Sequence, residues 1–191
     1  MHNATQHASA IELEQGLPDV LASPTDAGHL TAIFVRPAPN ERRTLDSTTL
    51  TPEGGIDGDR WVHDSYYRLK DGRSDPRCQV SIMNDRFLRQ VAGDKDDMCL
   101  AGDNVIVDLD LSEVNLPAGS QISIGSEVII EISDLKHTGC SNFARRYGPD
   151  AKTFANNEQG TALHLRGRYA RIVRGGTIRV GDNVCKHASN Q

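Results

Sequence analysis

A chain of 191 residues, 37% of them apolar, has material for one domain with a substantial core. Its formal net charge of −5 argues against a general nucleic-acid or anionic-membrane surface, no run is long or apolar enough to span a bilayer, and the start lacks the basic and apolar regions of a secretory signal. The four scattered cysteines, Cys78, Cys99, Cys140 and Cys185, include no C-x-x-C pair, which excludes a dense disulfide framework or a zinc ribbon and predicts a reduced, cytoplasmic protein.

In chain order, residues 1–27 mix polar side chains with Pro18 and Pro24 and are expected to form a flexible arm. Leu30 to Val35 predicts the first strand, stopped by Pro37 and Pro39. A turn-rich stretch follows, in which Gly54-Gly55 leads into Ile56-Asp57-Gly58-Asp59-Arg60-Trp61. The charged segment from His63 to Arg77 reads as a long loop with a turn at Asp71-Gly72. Gln79 to Met83 predicts a strand, after which Asn84 or Asp85 caps a short helix carrying Phe87, Leu88 and Val91.

The next part is almost all β signal. Strands are expected at Asn104 to Asp108, at the alternating Gln121-Ile122-Ser123-Ile124, and at the β-branched Val128 to Ile132. Near the end, Tyr169 to Val173, a Gly175-Gly176 turn and Thr177 to Val180 predict a hairpin, and Gly181-Asp182 turns into Asn183-Val184. Many short strands separated by glycine turns predict a closed or strongly curved barrel with a few helices attached. The spacing leaves no room for regular βαβ units, so the expected class is mainly β.

One segment carries chemistry. Lys136-His137-Thr138-Gly139-Cys140-Ser141-Asn142-Phe143 places a cysteine where a strand-like run has ended and a helix is expected, with Phe143 and Tyr147 one turn apart on one face and Gly148-Pro149 as the stop. A thiol at a helix start lies beside unpaired N–H groups that favour thiolate, the form that binds metals and attacks electrophiles. His137 adds charge or a proton relay. The alternative is a small buried filler, the commoner fate of a free cysteine.

Four pieces in order then resemble the MOSC domain, the module named for the C-terminal part of molybdenum-cofactor sulfurases, most of all its stand-alone bacterial members. They are Gly55-Ile56-Asp57-Gly58-Asp59-Arg60; Ala101-Gly102-Asp103-Asn104 with Leu116 to Gly125; the Cys140 segment; and Arg171 to Asp182. Together they span residues 28–185, expected as a single MOSC-like β-barrel domain with peripheral α-helices, followed by a tail at 186–191. The resemblance implies a barrel that holds the molybdenum–pterin cofactor or passes sulfur to it. A single cysteine in the family is thought to ligate the metal or carry sulfur, and only Cys140 matches that position. Soft thiolate suits molybdenum, and this turns the reading of Cys140 from filler to function. The segment reads Thr-Gly-Cys-Ser here, where many relatives have Pro-Cys.

With such a cofactor in view, His137 or His63 is expected as a proton donor, with Asp59 orienting His63. Arg166, Arg168 and Arg171 are candidate anchors for the cofactor phosphate, with Arg145 and Arg146 competing for the role, and Gly167 letting the backbone approach the ligand. Asn104 is a further candidate for cofactor binding or a turn cap. His164 reads as a satisfied structural histidine, and Trp61 as a core or rim residue. The expected function is molybdenum-cofactor binding that supports reduction of N-hydroxylated compounds or sulfur transfer on a small-molecule substrate. The pyridoxal-phosphate domain of full sulfurases is absent, and no iron–sulfur spacing or flavin fingerprint is present, so a separate electron- or sulfur-donor protein is expected. The alternatives are a non-catalytic cofactor carrier and an interaction module that keeps only the barrel.

Overall fold

Alternating strands with one apolar face bury it best by curling until the sheet meets itself, which removes both edges. The protein does this with seven strands. A computed structural model describes residues 7–93 and 95–187; of the expected arm and tail, residues 1–6 and 188–191 lie outside the described residues. The barrel strands are β1 (Ala27–Val35), β5 (Val80–Asn84), β6 (Val105–Asp108), β7 (Gln121–Ile124), β8 (Val128–Ile132), β9 (Arg168–Arg174) and β11 (Asn183–Lys186). They run β1-β11-β7-β8-β9-β5-β6 and return to β1, with every pairing antiparallel except β5 with β6. Three short strands, β2 (Arg43–Leu45), β3 (Ser47–Thr51) and β4 (Gly55–Ile56), occupy the stretch expected only to turn. β2 extends the sheet from the end of β1, and β3 pairs with β4 on one side and β10 (Gly176–Arg179) on the other.

Alternation sorts the side chains into two cores. Ile33, Ile82, Val105 and Val107 belong to the barrel core, with Ile122, Ile130 and Ile172. Their neighbours Phe34, Met83 and Ile106 belong to a second core shared with the helices. β5 is buried along its whole length because both of its faces are covered. The covering helices are α1 (Ala10–Leu21), α2 (Asp85–Ala92), α3 (Ser141–Tyr147), α4 (Pro149–Asn156) and α5 (Glu158–Ala162). Among the described residues no helix is long and apolar enough to cross a membrane.

The sequence expectations need three corrections. Residues 10–21 are not a loose arm but α1, which opens with a Ser9/Glu12 capping box and buries Leu13, Leu17 and Val20 against α2. The proposed hairpin near the end does not form: β9 pairs with β5 and β8, and β10 crosses to β3. One βαβ crossover does exist, since parallel β5 and β6 are joined through α2, which Asn84 caps by accepting from Phe87 N–H at 3.0 Å. Residues 63–77 form the expected loop, tied by an Arg68–Ser74 bridge and ending in a 3-10 turn at Pro76–Cys78.

Candidate cofactor site

At the end of β1 the chain sets Arg36 against the carboxylate of Asp59. The guanidinium grips both oxygens, Nε to Oδ2 at 2.9 Å and Nη2 to Oδ1 at 3.0 Å, the bidentate form that fixes direction as well as distance. Asn104, just before β6, completes the frame. Its Nδ2 donates to Asp59 Oδ2 (2.9 Å) and to the Phe34 carbonyl (3.1 Å), and its Oδ1 accepts from Ser81 Oγ (2.9 Å) and Arg36 Nη2 (3.2 Å). Burial works to raise the Asp59 carboxyl, but the Arg36 and Asn104 bonds outweigh it and hold it below the usual carboxylate range. Asp59 therefore does not orient His63, which stays exposed outside the cleft described next.

Above this frame opens a cleft of about 520 Å³. Six cationic side chains reach it: Arg36, Arg42, Arg60, Lys136, Arg146 and Arg166. Arg36 is neutralised by Asp59, Arg60 meets Asp64 at 3.0 Å, and Arg166 meets Asp103. Arg42 and Arg146 face no carboxylate among the described residues; they donate to the carbonyls of Glu41 and Leu100 respectively. Arg42 Nε is buried and has no partner among the described residues. Burial, and then repulsion from Arg146, Arg36 and Arg60, pushes the Arg42 pKa down. Arginine charge gathered without matching carboxylates is the arrangement that phosphate completes.

The floor of the cleft is a buried charge pair under an aromatic wall. Arg166 donates from Nη1 to Asp103 Oδ2 at 2.6 Å and from Nη2 to the Ala101 carbonyl at 3.0 Å, and its guanidinium lies 4.9 Å from the centre of the Phe143 ring. His137 stacks on Tyr169, with ring centroids 4.2 Å apart. Its Nδ1 lies 3.6 Å from Asp103 Oδ1, too far for a hydrogen bond, and both atoms are buried without a partner in the protein, as is Arg166 Nε. Burial, reinforced by the positive charges of Arg166 and Arg36, drives the His137 pKa well below its ordinary value, so the imidazole is neutral at pH 7. His164 is also lowered, by burial first, against the pull of the Glu113 carboxylate 2.8 Å from its Nε2.

A depressed histidine binds its proton more tightly in the unfolded chain. Its stability contribution is complete above the unfolded pKa of about 6.5 and is lost as pH falls below it. Urea unfolding between about pH 7 and pH 5 should show stability falling with acidification, by at most about 1.4 kcal/mol per pH unit per histidine. His137→Gln should flatten that slope, and a slope identical to wild type would refute the assignment.

Cys140 stands at the cap position of α3, exposed and on the lining of the cleft. Of the residues expected from sequence, Cys140, His137, Arg146 and Arg166 meet at the cleft, and Asn104 lies beneath it in the Asp59 frame. The others are placed elsewhere. Arg145 is exposed on α3 and Arg171 pairs with Glu131 at 2.7 Å across β8 and β9. Arg168 is buried, donating to the Leu116 carbonyl at 2.6 Å and meeting Glu113 at 3.1 Å beside His164, in a second cavity of about 440 Å³. That second cavity shares Lys136, His137, Thr138 and Arg166 with the first. The positive φ of Gly167, +97°, brings the backbone against β5. Arg36 and Arg42 lie in segments with no local mark, and Arg60 closes the Gly55–Arg60 piece, where its neighbours read as a turn and no role falls to the arginine. Arg146 over Arg145 had a readable signal: with Phe143 and Tyr147 buried, position 146 lies three residues from Phe143 and leans toward the same face.

The family description of the MOSC domain matches residues 57–185. Among solved structures, the YuaD protein from Bacillus subtilis superposes with a TM-score of 0.57 at 17% identity, over 83% of this chain and 94% of that one. YiiM from Geobacillus stearothermophilus gives 0.54 at 16% identity, over 84% and 75% of the two chains. YiiM from Escherichia coli gives 0.53 at 13% identity, over 84% and 70%. At these identities the likeness concerns the fold. None of the curated proteins matches this chain.

Proposed function

This chain belongs to the MOSC domain family, which is associated with molybdenum-cofactor binding, and from that premise we propose that its cleft holds a molybdenum–pterin cofactor with Cys140 as the protein's ligand to the metal. The observation that carries the reading is that an accessible thiol and two guanidiniums, Arg42 and Arg146, which face no carboxylate among the described residues, line one cleft. The donor set fits the group. No cluster of three or more His, Cys, Asp or Glu able to cage a metal ion occurs among the described residues. A lone thiolate therefore suits a metal that arrives with its remaining ligands already supplied. Arg42 and Arg146 would hold the cofactor phosphate, since both guanidinium side chains line the cleft.

When bound, the cofactor supplies two-electron chemistry, suited to reduction of N-hydroxylated compounds or to sulfur transfer. The protein's own residues then do three things. Tyr67 and Tyr169 wall the cleft, Arg36 keeps Asp59 ionised in the frame beneath it, and His137 brings a neutral imidazole to its lining. A neutral ring donates or accepts a hydrogen bond but is not an ionised acid. Electrons or sulfur come from a separate donor protein.

The test is metal retention. Wild type, Cys140→Ser and the double variant Arg42→Ala/Arg146→Ala would be loaded with released cofactor, desalted, and assayed for molybdenum and pterin. Wild type should keep both in stoichiometric amount. Cys140→Ser should lose the metal, and the double variant should lose pterin by about tenfold or more, as two charge-assisted contacts disappear. Equal metal in wild type and Cys140→Ser would remove Cys140 as an essential ligand. Folded wild type that keeps neither would remove the cofactor reading itself.

A further inference from the structure

Asn156, the last residue of α4, is exposed, yet both ends of its amide are committed to one backbone residue. The Gly139 N–H donates to Asn156 Oδ1 at 2.8 Å, and Asn156 Nδ2 donates back to the Gly139 carbonyl at 2.9 Å. The two bonds imitate one rung of a β-ladder between a side chain and the residue just before Cys140. A Cβ on Gly139 would lie 3.2 Å from Asn156 Nδ2 and 3.3 Å from Lys152 Cγ, so glycine lets the amide seat closely.

Geometry gives this clamp its reach. The Gly139 carbonyl belongs to the same planar unit as the Cys140 nitrogen and Cα, so holding the carbonyl also fixes where Cys140 begins. On the other side, the Cys140 carbonyl accepts the first helical bond of α3, from Ala144 N–H at 3.1 Å. The peptide planes on both sides of Cys140 are thereby held, one by Asn156 and one by α3, and the thiol keeps little more than its χ1 freedom. Upstream, Tyr67 Oη donates to the Lys136 carbonyl at 3.0 Å, so the segment is pinned before His137 as well.

We propose that Asn156 is a positioning residue for Cys140, presetting the thiol so that metal binding need not order its backbone. The inference rests on the reading of Cys140 as the metal ligand. Ordering a loop on binding costs affinity, and a clamp already closed in the free protein removes that cost. The bonds are only part-buried and join one side chain to one residue, so their effect falls on the local geometry there, with little on global stability.

Three measurements on Asn156→Ala test this. In cofactor-free protein, exchange of the Gly139 amide proton should quicken about fivefold, the loss of one net hydrogen bond. After loading and desalting, the ratio of molybdenum to pterin should fall by a similar factor below wild type, with the unfolding midpoint little changed. Asn156→Asp keeps the acceptor for the Gly139 N–H but sets a carboxylate oxygen against the Gly139 carbonyl; it should retain amide protection better than alanine while still losing metal. Unchanged exchange in Asn156→Ala, or a metal-to-pterin ratio equal to wild type, would overturn the proposal. If wild type itself holds no molybdenum, the cofactor reading fails separately, and iodoacetamide decides the clamp. A change of about twofold or more in the Cys140 alkylation rate in Asn156→Ala, with Cys185 unaffected, sustains it, and an unchanged rate ends it.

Discussion

Arg166→Ala should lower the unfolding free energy by about 3–5 kcal/mol, the cost of leaving one member of a buried ion pair alone. Asp103 is 0% exposed, its Oδ1 already lacks a partner in the protein, and the substitution strips Oδ2 of its 2.6 Å donor. The Ala101 carbonyl loses its bond at the same time, and the Phe143 ring loses its cation. The abandoned carboxyl has one escape, which is to take up a proton. Burial already pushes the Asp103 pKa up, with Arg166 and Arg36 opposing, and losing Arg166 lets it climb further. A raised carboxyl pKa means that the folded variant binds the proton more tightly than the unfolded chain. Its deficit should therefore be full at neutral pH and shrink on acidification through the folded pKa. Replacing both partners by apolar residues, as in Arg166→Met/Asp103→Leu, should recover most of the loss. Urea titrations at about pH 7 and pH 5 would decide it. A single-variant loss below about 1 kcal/mol, the range of an exposed pair, would show that Asp103 is not held as described.

Gly167→Ala should cost more than about 2 kcal/mol, combining strain at positive φ with a collision. At φ +97° an alanine Cβ would stand 2.5 Å from the Ile82 carbonyl oxygen and 3.3 Å from Asp103 Oδ1. The first of these is backbone, so relief requires β9 to move away from β5, where Ile82 pairs with Arg168. Gly72→Ala is the control: its φ is +85°, but nothing lies within 4 Å of the added carbon. That substitution should show the strain alone, about 1 kcal/mol. For a chain of this size the difference corresponds to a few degrees in melting temperature. Equal losses at the two glycines would mean that the approach to β5 contributes nothing.

Strands announced themselves through alternation, as in Gln121 to Ile124, where burial follows the polar–apolar pattern residue by residue. α1 was hidden although its signal was present. Leu13, Leu17 and Val20 are spaced as one helical face behind a Ser9/Glu12 box, and Pro18 drew attention to breakage instead. Gly148-Pro149 is a stop signal in the sequence, yet proline is also a good first residue, and α4 begins there. The false hairpin at Gly175-Gly176 shows that a turn signal fixes where a chain bends but not which strand it meets next. For the cleft, Cys140 and His137 were visible because their own segment marks them. Arg36 and Arg42 come from the opposite end of the chain, and only barrel closure sets them beside Arg146 and Arg166. Proximity in sequence is a poor guide for His63, because the nearby Asp59 carboxylate is taken up by Arg36, the residue after β1.

The pairing of Ala27 with Cys185 gives the molecule a temporal constraint. β1 emerges early from the ribosome, but the strand that seals the barrel beside it, β11, is among the last described residues to be made. Until then β1 and β7 wait with open edges on a nearly complete sheet, and such edges recruit other chains. Long-range closure of this kind folds slowly. Production of the protein should therefore be limited less by its final stability than by the interval before residues 183–186 arrive, and truncations that remove β11 should yield aggregates rather than a smaller soluble domain.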